Sequence, residues 1–119
     1  MANTTKFNGR IIEITGLDED WYVENDLPQF AGVGLKVKSI QFNPSAANDV
    51  MKILDTRGKK AMTPPDTAAV EVFLVQCSAV TDQRIKYFGD KGSWMSPYID
   101  ISECTLNTAA NAKVIIEIA

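Results

Sequence analysis

The chain has 119 residues, 45% hydrophobic and 23% charged, with 12 Lys and Arg against 15 Asp and Glu for a net charge of −3. That length predicts one domain able to bury about two-thirds of its unfolded surface without a disulfide or metal staple, and the charge balance offers no global field for nucleic acid. No histidine is present, which removes the commonest general base, the usual zinc ligand and the Ser-His and Cys-His nucleophile pairs. No apolar run approaches the length of a membrane span, and MANTTKFNGR lacks the apolar centre of an export signal. The expectations are no enzyme activity, no cofactor, no metal, no membrane partner and synthesis in a cytoplasm.

The first nine residues are polar and show no core pattern, so they read as an extended arm ahead of a folded body over 10–119. Arg10 to Thr15, RIIEIT, follows the turn pair Asn8-Gly9 and alternates as a strand with Ile12 and Ile14 on the core face. Residues 17–34 are rich in acids and turn formers and predict a loop around one short strand, anchored by Trp21, Tyr22 and Phe30. In Leu35 to Phe42, LKVKSIQF, Leu35 and Val37 share one parity while Ile40 and Phe42 carry the other, which predicts a bulge or a passage between two environments.

NPSAAND over 43–49 supplies turn residues and Val50 to Leu54 resumes the alternation, so the two runs read as a hairpin with a long loop. Asp55 to Asp66, with Gly58 and Pro64-Pro65, reads as a solvated loop. Val70 to Val80, VEVFLVQCSAV, is the most apolar stretch and reads as the central strand. Arg84 to Phe88 and Met95 to Ile101 flank GDKGS as a second hairpin, and Ala112 to Ile118 closes the chain as a strand. The sum is an all-β fold, a single-domain sandwich or barrel-like sandwich of about seven to eight short strands behind an extended N-terminal arm.

Candidate chemistry is sparse. Cys77 and Cys104 sit in apolar strand-like segments without CxxC spacing, and read as reduced structural thiols. Gly32, Gly34 and GDKGS match no phosphate-cradling spacing and read as turns. The acidic run Asp18, Glu19, Asp20, Glu24, Asn25, Asp26 has the oxygens for a hard cation but not the EF-hand spacing, and reads as a solvated face. Trp94 and Tyr98, with Trp21, offer an aromatic platform for a sugar or else core and interface anchors.

Charge is segregated along the chain: residues 1–30 carry net −4, residues 31–62 net +4 and the remainder net −3. Acidic and basic segments of one small chain can meet across subunits of a ring or lattice, where complementary fields set register, or can simply keep exposed edges soluble. The strings KSIQFNPSAANDVMKI at 38–53 and YFGDKGSWMSPYIDISECTL at 87–106 resemble small virion-associated β proteins of tailed bacteriophages, of the capsid decoration and cement type. That resemblance implies a virion location, a structural role stabilising the head, a homo-oligomer with a trimer as the simplest symmetry, and the major capsid protein as partner. The contact residues this reading selects are Lys36, Lys38, Lys59, Lys60, Asp18, Glu19, Asp20, Trp21 and Trp94. A tail-associated or carbohydrate-binding sandwich is the alternative.

Overall fold

The computed structural model describes residues 4–17, 19–30, 34–55, 70–108 and 111–119. They form ten strands: β1 Thr4–Asn8, β2 Ile11–Thr15, β3 Trp21–Tyr22, β4 Leu35–Asn43, β5 Val50–Asp55, β6 Val70–Gln76, β7 Arg84–Tyr87, β8 Ser93–Met95, β9 Pro97–Ile99 and β10 Lys113–Ile118. The helical content among the described residues is one four-residue turn, Val23–Asp26, and two 3-10 turns, Pro28–Phe30 and Ile101–Glu103. The fold is all-β, with two antiparallel sheets packed as a sandwich.

The larger sheet runs β1-β2-β10-β4-β7 with β8 also on β4, and the smaller runs β3-β9-β5-β6. Alternation is the reason these strands share one core. Ile12, Ile14, Val114, Ile116, Ile40 and Phe42 project from the larger sheet onto Trp21, Met51, Ile53, Phe73 and Ile99 of the smaller, all buried. The parity change in β4 is a bulge: Glu117 pairs with Ser39 and Ile118 with Val37, leaving Lys38 as the extra residue. Leu35 and Val37 therefore face the same core as Ile40 and Phe42.

Residues 4–8 of the expected arm are extended and pair along their length with β2. Trp21 Nε1 of the other sheet donates to Thr5 Oγ1 at 2.8 Å, and the Phe7 ring meets Phe30 of the 3-10 turn edge to face at 5.6 Å. The arm thus belongs to the folded body over these residues.

Three topological expectations are corrected. The segment 43–49 is a crossover and not a hairpin loop, because β4 and β5 lie in different sheets. GDKGS does not reverse the chain either: β7 pairs with Phe42 to Ser39 and β8 with Val37 to Leu35, so both lie on the same edge of β4 in one direction. The loop between them is an excursion, pinned by Phe88 N–H on Lys38 O at 2.8 Å and by Gly92 N–H on Gly89 O at 3.0 Å. Gly92 has φ +74°, and a Cβ there would meet Lys36 Cγ at 3.0 Å and Lys36 O at 3.1 Å, so only glycine lets the loop return this close to β4. Finally, β6 is an edge strand and not the centre of a sheet. Its apolar character reflects the flank it shares with β7, where Glu71 to Val75 line a groove of about 300 Å³ with Ile85 and Lys86. Lys86 Nζ crosses that flank to donate to Val72 O at 2.9 Å, blunting the open edge.

The strand expected over Met95 to Ile101 is split at Ser96, where the chain leaves the larger sheet for the smaller, and its first part begins earlier, at Ser93. Ser96 is buried, and its N–H donates to Asp55 Oδ1 at 2.9 Å. The 43–49 crossover is organised by Asp49, a fully buried carboxylate. Its Oδ2 accepts from Ser45 N–H, Ser45 Oγ and Ala46 N–H, and its Oδ1 from Asn107 N–H and Nδ2. Asn48 takes the left-handed conformation with φ 68°, which Asn tolerates best after glycine.

The two thiols are free. Cys77 N–H bonds Asp49 O on one edge of β5, while Thr105, next to Cys104, pairs with Val50 on the other. Two strand spacings, about 9.6 Å, separate those edges, beyond the span of roughly 7 Å that a disulfide bridges. Burial raises both thiols above their ordinary value, with Asp82 adding to the effect at Cys77. Since the thiolate is the reactive form, both should react slowly with a disulfide reagent at neutral pH and rapidly on unfolding in guanidinium. Replacing both with Ala should cost about 1–3 kcal/mol through lost packing and leave the fold intact. A thiol titration and a denaturation curve check this; fast reaction of the folded protein would contradict it.

Candidate contact surface

Antiparallel pairing puts directly opposite residues on the same side of a sheet, so the register defines the outward face of the larger sheet. On β1, β2 and β10 it carries Lys6, Ile11, Glu13, Lys113, Ile115 and Glu117. On β4, β7 and β8 it carries Lys36, Ser39, Gln41, Asn43, Ile85, Tyr87 and Trp94. The first half is charged, with Lys113 and Glu13 paired at 3.6 Å. The second is neutral except for Lys36. There Gln41 Nε2 donates to Asn43 Oδ1 at 2.8 Å, and Ser39 Oγ donates to Glu117 Oε1 at 3.3 Å.

Of the residues selected from sequence, Lys36, Lys38 and Trp94 come together. Lys36 and Trp94 are cross-strand partners, and Lys38 is the bulge residue two positions along β4. Neither lysine forms an ion pair with a described residue, so two cations stand uncommitted beside an exposed indole. Exposure singles out the aromatic neighbours: Tyr87 is 69% and Trp94 63% accessible, with Ile85 at 47%.

Trp21 is corrected from contact residue to core residue. Its side chain is fully buried, and it presents nothing to a partner. Tyr98 is likewise buried against Leu54, its hydroxyl donating to Asp20 Oδ2 at 3.1 Å. The trio Trp21, Trp94 and Tyr98 therefore forms no platform. Asp20 is engaged a second time by Ile101 N–H on Oδ1 at 2.9 Å, so it joins the entry of β3 to the exit of β9. Glu19 is exposed beside it. These two precede β3 of the smaller sheet, whereas Lys36 and Lys38 lie on β4 of the larger, so the acidic and basic segments occupy different sheets. Asp18, Lys59, Lys60, Gly32 and the 56–66 part of the expected loop lie outside the described residues.

Two charged pairs elsewhere, Asp82 with Arg84 and Lys52 with Glu103, are held in local structure. Asp82 accepts from Ser78 N–H and Oγ and from Arg84 Nε and a second guanidinium nitrogen, and these bonds hold its carboxyl far below the ordinary range. Lys52 donates to Glu103, which raises the ammonium above its ordinary value. Among the described residues no three Cys, Asp or Glu side chains converge on one point, and no helix is long and apolar enough to cross a membrane. Reasoning from sequence missed Tyr87 and Ile85; the alternation in RIKY, set against the polar partner face of β4, is the signal that marks them. Comparison with protein-family models, with curated protein sequences and with solved structures finds no match.

Proposed function

We propose that the chain is a structural protein working by surface contact, a virion decoration protein of the type that residues 38–53 and 87–106 resemble, stabilising a phage head through contacts with the major capsid protein and with its own copies. The observation that supports this reading is the cluster of Lys36 and Lys38, two cations without ion-pair partners among the described residues, beside exposed Trp94 on the rim of a sandwich braced by a dense core. Such a cluster suits an acidic partner surface, with charge setting register and encounter rate and the indole supplying the buried anchor.

The test is attachment of purified protein to particles lacking it. Lys36→Glu with Lys38→Glu should slow association at least tenfold, and wild-type association should itself slow as salt is raised from 50 to about 300 mM, where screening shortens below about 10 Å. Both lysines are partly exposed, so the fold should survive the change. Particles without the protein should be more sensitive to heat and osmotic shock. Attachment to tails alone, or equal robustness without the protein, overturns the reading in favour of a tail-associated role.

A further inference from the structure

β1 and β2 are joined through two residues, Gly9 and Arg10, across the closing pair of Asn8 and Ile11. Gly9 has φ +63° and Arg10 a negative φ, the pattern of a type II′ turn, which places glycine at its first position. The turn accounts for Gly9 but not for Asn8, which ends an extended strand, where asparagine is among the disfavoured residues. Asn8 is exposed, and its side-chain amide bonds none of the described residues. The Gly9 N–H also stands outside the ladder, because the bonds of a two-residue hairpin begin at its closing pair. A Cβ at Gly9 would meet nothing within 4 Å, so the Asn8–Gly9 peptide is open to solvent.

We infer that Asn8–Gly9 is a self-modification site, where the chain rearranges to isoaspartate and thereby loosens β1 from the sandwich. The Gly9 nitrogen, deprotonated by hydroxide, bonds to Asn8 Cγ; the Cγ–Nδ2 bond breaks and ammonia leaves, closing a five-membered imide. Water then opens the imide at either carbonyl. Opening at Cγ gives aspartate, and opening at the main-chain carbonyl gives isoaspartate, in which the chain runs through Cγ and is one atom longer. The attack needs an unshielded nitrogen, a side chain free to turn, and a closing pair that can open. Thr4, Lys6, Phe7 and Asn8 on this outermost strand are exposed, so the pair opens at low cost. Asn43, Asn48, Asn107 and Asn111 each lack one condition. Pro44 has no N–H to deprotonate, Asp49 and Ala112 are buried, and Asn107 Nδ2 is held by Ala47 O and Asp49 Oδ1. The consequence follows from the turn: two residues leave no slack for an extra main-chain atom, and turn length sets the register of the pair. β1 carries Thr5, which accepts from Trp21, and Phe7, which packs on Phe30, so both contacts sit on the strand that is loosened. The reaction belongs to the free chain and stands whether or not the decoration role holds.

The whole protein is incubated at 37 °C at pH 7.4 and 8.5, beside a synthetic peptide of residues 4–13, and mapped by mass spectrometry with electron-transfer fragmentation to tell isoaspartate from aspartate. Asn8 should convert no more than about thirtyfold more slowly than in the peptide, faster at the higher pH, and at least tenfold faster than Asn43, Asn48, Asn107 or Asn111. Asn8→Gln should stop conversion at this position without moving the denaturation midpoint. The isoaspartyl form, separated by ion exchange, is then compared with fresh wild type by amide hydrogen exchange. Lys6, Ile11 and Glu13, whose N–H groups face across the β1–β2 pair, should exchange at least tenfold faster, while Ile12 and Ile14, bonded toward β10, keep their protection. Fresh Asn8→Asp adds the same charge without the extra atom and should exchange like wild type. An Asn8 that stays intact after the peptide has converted, or that converts no faster than the other four, overturns the site. Wild-type exchange in the isoaspartyl form, or equal loosening in Asn8→Asp, overturns the link from the longer chain to β1.

Discussion

Trp21→Ala is expected to remove about 3–5 kcal/mol of folding stability, the range for truncating a fully buried aromatic, while Trp94→Ala should stay within about 0.5 kcal/mol of wild type. The two tryptophans read alike in the sequence, each beside charged and polar neighbours, but their environments are opposite. Trp21 fills the interior with Ile99 across the β3–β9 pair, and its indole N–H reaches Thr5 on the outermost strand of the other sheet. It therefore closes the β1–β3 side of the sandwich. Trp21→Phe keeps most of the burial and loses the hydrogen bond, for which about 1–2 kcal/mol is expected. Domain stability is commonly 5–15 kcal/mol in total, so the alanine variant should be visibly less stable in a guanidinium titration. A Trp21→Ala protein of wild-type stability that fails to bind its partner would restore Trp21 as a contact residue.

Much of the fold could be read from alternation alone. β2, β5, β7 and β10 fall where the apolar positions repeat every second residue, and the β4 bulge follows from the single parity change between Val37 and Ile40. What alternation does not carry is which strand lies beside which. Residues 35–43 and 50–55 are neighbours in sequence and belong to different sheets, because the crossover is decided by Asp49 reaching Asn107, 58 positions away. The break at Ser96 depends in the same way on Asp55, 41 positions away. β6 is misread as central for a different reason: a continuous apolar run is equally consistent with burial on two faces and with burial on one face plus a flank.

The contact surface was legible in its residue types but not in its grouping. Lys36 and Trp94 are 58 positions apart in the chain and meet only through the β4–β8 register. Tyr98 stands between Pro97 and Ile99, and all three are buried, so no alternation marks which way it faces. Tyr87 escapes notice between Lys86 and Phe88 because its exposure follows from β7 being an edge, which is a property of topology.

Asp49→Asn should be the most damaging polar change, at about 2–4 kcal/mol near neutral pH, although it alters almost no volume. Both carboxylate oxygens are acceptors, and they face backbone N–H groups of Ser45, Ala46 and Asn107, the Ser45 hydroxyl and the Asn107 amide. An Asn offers one acceptor and turns an NH₂ toward donors, leaving buried N–H groups unmatched on one side whichever way the amide is oriented. The pH dependence follows from the same bonds. Burial by itself raises the carboxyl, but the hydrogen bonds from Ser45, Asn107 and Ala46 together outweigh it and hold Asp49 below the ordinary carboxylate value. A folded-state value below the unfolded one of about 3.9 means that Asp49 contributes its full stability above that pH and loses it as pH falls through the folded value. The gap between wild type and Asp49→Asn should accordingly be constant from about pH 5.5 to 7 and shrink below about pH 4. Asp82, whose carboxyl Arg84 and Ser78 also hold down, titrates in both proteins and cancels in the difference. Urea titrations of the two proteins at pH 7, 5.5, 4 and 3 measure it. A gap that grows toward low pH would show that the carboxylate destabilises the crossover, and that the loop is held by contacts other than those to Asp49.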